Sequence, residues 1–141
     1  MEVREARSKE EVTAALSLRG RVFCEEQGVS FEADQDGRDP EATHIVAVED
    51  GRVIGTCRLV FRGPVARLGR LAVERDHRGG GLAAAILERA DLIASEAGAD
   101  SIALHAQTYA QTLYERAGYV EYGPTFVEEG IEHVAMEKRL A

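Results

Sequence analysis

The segment spanning residues 68–97 most strongly limits what this chain can fold into. It begins with an apolar, strand-like run at residues 68–73, continues through a glycine-rich turn at residues 78–81, and ends in a helical run at residues 82–97. Glycines let a backbone approach a ligand closely, and the first turn of a helix has unpaired N–H groups that bind anions. The order of strand, glycine-rich turn and helix therefore predicts a diphosphate cradle, with Arg78 adding a positive charge at its rim.

The spacing within this turn differs from that of the common nucleotide-binding motifs. A P-loop needs a Lys followed by Ser or Thr after its last glycine, whereas Gly81 is followed by Leu82 and Ala83. A dinucleotide-binding fold places its glycines after the first strand, with an acidic residue about 20 positions further on. Here the turn lies in the middle of the chain. A nucleotide-binding protein that uses the same cradle is kept as an alternative.

Two motifs in the chain resemble those of a known superfamily. Arg78-x-x-Gly81-x-Ala83 resembles the Arg/Gln-x-x-Gly-x-Gly/Ala signature of the GNAT N-acyltransferases, which holds the pyrophosphate of acetyl-coenzyme A (acetyl-CoA). The segment at residues 113–119 resembles the family's Phe-Tyr-x-x-x-Gly-Phe segment. Four further runs resemble the ElaA-like subgroup: residues 22–27, 55–59, 106–109 and 126–133. The resemblance implies one GNAT domain over residues 1–141, with a three-layer α/β/α fold around a mixed, mostly antiparallel sheet.

The order of predicted elements agrees with that architecture. A capping box from Ser8 to Glu11 begins a helix that runs to about Phe23, after a short strand at residues 3–6. Asp50 and Gly51 predict a type I′ hairpin between strands at residues 43–48 and 53–61. The remaining predicted elements are strands at 67–73, 101–105, 120–125 and 133–138, and helices at 82–97 and 109–117. Alternating strands and helices of this kind predict an α/β fold with helices on both faces of one sheet.

Composition and charge limit the class of protein. Arg89 and Asp91 interrupt the longest apolar candidate for a membrane span, and the N-terminal residues lack the apolar core of a signal peptide. A cytoplasmic protein that binds no membrane is therefore expected. The net charge of −8 argues against nucleic acid as a partner, because phosphate binding needs clustered Lys and Arg. Cys24 and Cys57 have no metal-ligand spacing and are predicted to be small buried hydrophobes, so no metal site is predicted.

The resemblance also implies which residues hold the cofactor. In the family, the pantetheine arm of acetyl-CoA pairs with the backbone of the strand before the cradle, which corresponds to Leu71, Ala72 and Val73. Their side chains alone indicate core residues. Gln107 corresponds to a position where many members have an Asn that contacts the pantetheine. The diphosphate would lie against the signature segment: Arg78, Gly79, Gly80, Gly81, Leu82 and Ala83.

Three residues are candidates for the catalytic acid and the catalytic base. Tyr114 is the candidate acid, because a nearby phenol can protonate the thiolate that leaves a thioester. The alternative is that Tyr114 only packs its helix against the sheet. His105, on the strand leading to the reaction centre, and Glu26, at the end of the first helix, are candidates for the base. A half-buried structural role is the alternative for His105.

The segment at residues 25–41 contains seven carboxylates and one cation, Arg38. Its central run, residues 34–39, has its glycine two positions too early for a calcium loop and lacks the required Glu, so a solvated acidic loop is predicted. In the GNAT fold this region lines the acceptor side of the cleft, where its charge would attract a cationic amine. Solvated surface charge is the alternative. If Arg58 and Arg70 face the cleft, the acceptor would carry a carboxylate as well.

The sequence therefore predicts an enzyme that moves acetyl from acetyl-CoA to a primary amine. No Cys or Ser lies in an evident nucleophile constellation, so direct attack in a ternary complex is expected. The acceptor would be a small molecule or a peptide amine. The alternative is a non-catalytic acyl-CoA sensor, and a homodimer is compatible with either activity.

Overall fold

The computed structural model describes residues 1–140, which form seven strands and four α-helices. The first half contains β1 (Glu2–Glu5), α1 (Lys9–Arg19), a π-helix (Gly20–Glu26), α2 (Phe31–Asp34), β2 (Thr43–Glu49), β3 (Arg52–Arg62) and β4 (Val65–Val73). The second half contains α3 (Leu82–Glu96), β5 (Ser101–Gln107), α4 (Gln111–Arg116), β6 (Val120–Glu128) and β7 (Ile131–Arg139). The strands form one sheet in the order β1-β2-β3-β4-β5-β7-β6. Only β4 and β5 are parallel, so the predicted mixed, mostly antiparallel sheet is confirmed.

The two faces of the sheet are covered by different helices. Ala72 packs with Leu18 and Val22, at the end of α1 and in the π-helix, whereas its neighbour Val73 belongs to the main core with α3. Successive residues of a strand point to opposite faces, so α1 and α3 lie on opposite sides. Helix α3 lies very close to β3, because a Cβ added at Gly55 would be 2.7 Å from Ile86 Cδ1. These contacts confirm the predicted three-layer arrangement.

Strands β4 and β5 separate after only three paired residues. The pairing joins Val65–Arg67 to Ser101–Ala103 and stops there. On the other side of β4, Ala72 pairs with Thr56 and Gly69 pairs with Arg58, so Arg70 and Leu71 together lie opposite a single residue of β3. Arg70 adopts a left-handed φ of 56° at this irregularity. A bulge of this kind bends its strand, and here β4 leaves β5 and an opening forms in the sheet.

Several local predictions hold, and others need correction. Asp50 and Gly51 both have positive φ (51° and 76°), as the predicted hairpin requires. The first helix runs past the predicted end at Phe23, because a π-helix continues it to Glu26. Glu11 N donates to Ser8 Oγ (3.2 Å), but the Glu11 carboxylate accepts from Arg7 N (2.7 Å) rather than from the Ser8 amide. Within residues 1–140, no helix is long and apolar enough to cross a membrane.

Candidate active site

A cavity of about 830 Å³ lies where β4 and β5 separate. Both strands contribute to its walls, with Leu71, Ala72 and Val73 from β4 and His105 and Gln107 from β5. The β4 residues make no pairs with β5 beyond Arg67, so this edge of the strand faces the cavity. The cavity therefore presents a strand edge to which an extended ligand can add through main-chain hydrogen bonds.

The N-terminus of α3 lies beside this cavity and has the features of an anion site. Gly79 and Gly81 have φ of 83° and 85°, values that favour glycine. The helix has no side-chain cap, and its first intrahelical bond runs from Ala85 N to the Gly81 carbonyl (3.1 Å). The amides of the first turn consequently have no intrahelical acceptor. A Cβ at Gly79, Gly80 or Gly81 would meet nothing within 4 Å, so the space over the turn is open.

Two side chains of the predicted cradle, those of Arg78 and Leu82, make contacts within the protein. Arg78 does not extend freely at the rim, because its Nε donates to the Val73 carbonyl (3.0 Å) and its Nη2 lies 2.8 Å from Glu26 Oε1. Arg78 and Ala83 line the cavity. Leu82 is only 6% exposed and packs in the core, so only its backbone N–H can take part in binding.

Glu26 lies outside the walls of the cavity. Its carboxylate is held by Arg78 and, more loosely, by Arg75 (3.7 Å). This contact lies beside the glycine turn, since Arg78 directly precedes Gly79. The structure therefore does not favour Glu26 as the base and places it as the partner of Arg78.

Tyr114 lines the cavity from α4 and is 9% exposed. Its ring packs edge-to-face against Tyr119, with the centroids 6.0 Å apart. Burial raises the pKa of Tyr114 above its ordinary value. Its phenol therefore stays protonated at neutral pH, as a proton donor must.

A group of two histidines and one carboxylate lies on another wall of the cavity. His105 Nδ1 is 3.4 Å from Glu128 Oε2, and His133 Nε2 is 3.9 Å from the same oxygen. Phe126 contacts both rings: its centroid is 5.0 Å from that of His105, edge-to-face, and 5.9 Å from that of His133, stacked. The sequence named only His105 of this group. The signal for Glu128 and His133 was their place in the run at 126–133 that resembles the ElaA-like subgroup.

Gln107 belongs to a short polar chain across the cavity. Its Nε2 donates to Gln27 Oε1 (2.9 Å), and Gln27 Nε2 donates to the Tyr109 hydroxyl (3.3 Å). All three residues line the cavity. Gln107 thus holds the residue just after the π-helix close to β5, and its amide is already engaged within the protein.

The predicted solvated acidic loop is wrong, because three of its aspartates bind arginines. Arg19 Nη1 lies 2.7 Å from Asp39 Oδ1 and its Nη2 lies 3.1 Å from Asp34 Oδ2, and Arg19 and Asp34 are 1% and 3% exposed. Arg58 pairs with Asp36 and with Asp39 (3.0 Å). Arg70 reaches Asp34 (3.3 Å) and Asp36 (3.4 Å). We call these six side chains the arginine–aspartate network.

The network lowers the pKa of two of its carboxylates, Asp36 and Asp39. A hydrogen bond from Arg58 holds the pKa of Asp36 well below its usual range. Burial acts to raise the pKa of Asp39, but Arg19 and Arg58 outweigh it and leave that pKa below the usual value. The network joins three arginines to three aspartates, so its formal charges sum to zero. The predicted attraction of a cationic amine by this segment therefore loses its main support.

The two cysteines agree with the sequence analysis only in part. Cys57 is 1% exposed, and burial raises the pKa of its thiol to about 12, as expected for a small buried hydrophobe. Cys24 is only partly buried. Among the residues that the structure describes, no group of three or more His, Cys, Asp or Glu side chains could hold a metal ion.

Similar proteins share both the sequence and the fold. A family model described as an acetyltransferase (GNAT) domain matches residues 4–140. A protein of Bacillus subtilis (strain 168), named as a candidate acetyltransferase, is 33% identical over 142 residues, which cover 99% of this chain and 97% of that protein. A crystal structure of a candidate N-acetyltransferase from Lactobacillus plantarum superposes with a TM-score of 0.92 at 29% identity, covering 99% of this chain and 98% of that one.

Two further crystal structures show the same fold at lower identity. Escherichia coli ElaA superposes with a TM-score of 0.89 at 23% identity, covering 98% of this chain and 99% of its own. An aminoglycoside 6′-N-acetyltransferase complexed with coenzyme A superposes with a TM-score of 0.81 at 15% identity, covering 100% and 98%. Since the family model matches almost the whole described chain and the Bacillus relative covers it at 33% identity, the chain belongs to the GNAT acetyltransferase family.

Proposed function

We propose that this protein transfers the acetyl group of acetyl-CoA to a primary amine, by direct attack in a ternary complex. Membership of the GNAT family supports an acyl-CoA-dependent transferase. The observation that carries the proposal is the separation of β4 from β5. It opens one cavity that is lined by Arg78 and Ala83 at one place, by Tyr114 at another, and by His105 and Glu128 at a third.

The residues at the cofactor end fit acetyl-CoA. The free edge of β4 at Leu71, Ala72 and Val73 offers main-chain groups to the amides of the pantetheine arm. The open space over the glycine turn and the uncapped first turn of α3 suit the diphosphate. A protein of the same fold has been crystallised with coenzyme A. Arg78 supplies the positive charge, and its present contacts with Glu26 and Val73 hold it beside the cradle.

Each proton of the proposed transfer has an assigned residue. The thioester of acetyl-CoA supplies the acyl group. His105 accepts one proton from the ammonium of the acceptor and passes it to solvent, while Glu128 stabilises the imidazolium. The neutral amine then forms the C–N bond as the C–S bond breaks. Tyr114 donates its proton to the departing sulfur and regains one from the amide nitrogen, so the products are the amide and the free thiol.

Purified protein, acetyl-CoA and a panel of primary amines test this proposal, with release of the coenzyme A thiol as the readout. We expect turnover with at least one class of amine and a higher kcat/KM for acetyl-CoA than for bulkier acyl-CoAs. In parallel, calorimetry measures the affinity of the protein for coenzyme A, ATP and NAD. Tight binding of coenzyme A with no thiol release from any amine would identify a non-catalytic sensor. Preference for ATP or NAD would identify a nucleotide-binding protein instead.

A further inference from the structure

We infer that the acceptor is an amine that also carries an anionic group, either a carboxylate or a phosphate. This inference rests on the proposed transfer to an amine and adds the class of acceptor. It is the opposite of the cationic amine that the acidic composition of residues 25–41 predicted. It follows from the charges left at the cavity after the arginine–aspartate network is accounted for.

The network removes Arg58 and Arg70 as free anion binders, although both line the cavity as the sequence analysis envisaged. Arg58 has a side chain 7% exposed and is bound by two aspartates. Arg70 contacts two aspartates and the carbonyl oxygens of Ala33 and Asp34 (both 3.3 Å). Their charges are therefore neutralised by aspartates within the protein, and an anionic acceptor needs other cationic partners.

Three more arginines line the same cavity, and they outnumber the carboxylates with which they form ion pairs. Among residues 1–140, Arg67 is exposed and has no carboxylate within 4.0 Å. Arg38 and Arg62 share one carboxylate, Glu41, at 3.1 and 3.4 Å, and each side chain is about half exposed. Three cations against one anion leave two positive charges at this wall. Such exposed guanidinium groups bind carboxylate or phosphate with two N–H donors each.

The sheet places Arg62 and Arg67 on one face. Arg67 pairs with Val60 of β3, and Arg62 lies two residues beyond Val60, so both side chains point to the face that α1 covers. Gly69, two residues after Arg67, also lines the cavity, and a Cβ there would meet nothing within 4 Å. The space next to the two arginines is therefore open.

The part of the cavity at the hairpin between β6 and β7 has the opposite charge. Glu128 and Glu129 line it at the hairpin between β6 and β7, next to His105 and His133. This end suits an ammonium group that is about to lose its proton. A molecule with an amine at the hairpin and an anion at the arginines would match the charge on both walls. A polyamine would match only one of them.

The experiment compares amines that differ only in the distal group. One pair is an ω-amino acid and its carboxamide, and the other is O-phosphoethanolamine and ethanolamine; in each pair the first amine carries the anionic group. Putrescine is included as the dication. We expect kcat/KM for the anionic member to exceed that of its partner by about 10- to 100-fold, the range of a charge-assisted contact. The advantage should shrink at high salt because the arginines are exposed. The two anions show whether carboxylate or phosphate is preferred.

Variants separate this inference from a general effect of charge. Arg67→Gln should remove most of the anionic advantage and leave the neutral amines and the KM for acetyl-CoA unchanged, while Arg67→Lys should restore part of it. Arg89→Gln, at an exposed position on α3 away from the cavity, is the matched control. Gly69→Leu should fill the open space and weaken all acceptors.

Binding of each amine in the presence of coenzyme A, measured by calorimetry, keeps the inference testable without turnover. Preferential binding of the anionic member with no thiol release would support the acceptor class and contradict the proposed transfer. Turnover in which the anionic, neutral and dicationic amines are equal, or in which putrescine is best, would overturn the acceptor class and leave the transfer standing. Absence of any preference in both binding and turnover would also overturn it.

Discussion

Replacement of Arg19 by Met should destabilise the fold by removing the buried cation of the arginine–aspartate network. Arg19 is 1% exposed, and its guanidinium contacts Asp34 (3.1 Å), Asp39 (2.7 Å) and the carbonyl of Asp34 (3.0 Å). Removing one partner of a buried ion pair costs about 3–5 kcal/mol. Asp34 keeps Arg70 and Asp39 keeps Arg58, so we expect the lower end of that range, about 3 kcal/mol.

Arg21→Met is the matched control, since it makes the same substitution two residues away. Arg21 pairs with Glu74 at 2.9 Å, but its side chain is 45% exposed. An exposed pair contributes about 0–1 kcal/mol. Urea unfolding of both variants and the parent protein, analysed with the slope of each transition, measures the difference. If Arg19→Met and Arg21→Met agree within about 1 kcal/mol, the network does not stabilise the fold as argued.

The pH dependence identifies the electrostatic part of the loss. The folded pKa of Asp39 lies below its ordinary value of 3.8, so its pairing stabilises the protein above that pH and is lost as the pH falls through the folded value. The parent protein therefore loses more stability in acid than Arg19→Met does. The difference between them should narrow below about pH 4. A constant difference from pH 7 to pH 3 would assign the loss to packing.

Three further predictions concern the active site. Gly80 has no left-handed φ and open space above it, so Gly80→Asp should fold normally yet weaken coenzyme A binding about tenfold or more in calorimetry, while Gly80→Ala stays close to the parent. Tyr114→Phe should lower kcat by about 100- to 10,000-fold with little change in KM for acetyl-CoA, and unaltered turnover would assign Tyr114 to packing. Because burial raises the Tyr114 pKa, this group should cause no loss of kcat below pH 10. His105→Gln should lower kcat about 100-fold or more. Glu26→Gln should instead change the KM for acetyl-CoA, because Glu26 holds Arg78 beside the cradle. A large loss of kcat in Glu26→Gln, with kcat unchanged in His105→Gln, would identify Glu26 as the base.

The features predicted correctly from the sequence are those that short segments determine. Asp50-Gly51 forms its turn because these two residues accept positive φ. The strand, glycine turn and helix of the predicted cradle follow one another in the chain, so a local pattern was sufficient to predict these three elements. Ser8 caps α1 through a contact three residues away. The family resemblance extended these local signals to one mixed, mostly antiparallel sheet, but no strand order within that sheet was predicted.

The features that were missed depend on residues distant in the chain. The bulge at Arg70 separates β4 from β5, and its effect appears only once three strands are paired. Glu26 was near the expected cleft in sequence, but its carboxylate binds Arg78, more than fifty positions away. A hairpin brings Glu128 to His105 across 23 positions. No local periodicity or charge pattern records which side chains such long-range packing will bring together.

The arginine–aspartate network shows why local charge is a poor guide to what a cavity attracts. Within residues 25–41 the carboxylates outnumber the cations seven to one, and the segment therefore resembles an acidic surface. Its partners lie on α1, β3 and β4, and burial makes such a partner necessary for Asp34, which is 3% exposed. Once they are paired, the charges that an acceptor meets are the unmatched ones, and at this wall the unmatched charges belong to arginines. The sign of the charge at this wall is thus the reverse of the sign that the composition of residues 25–41 suggests.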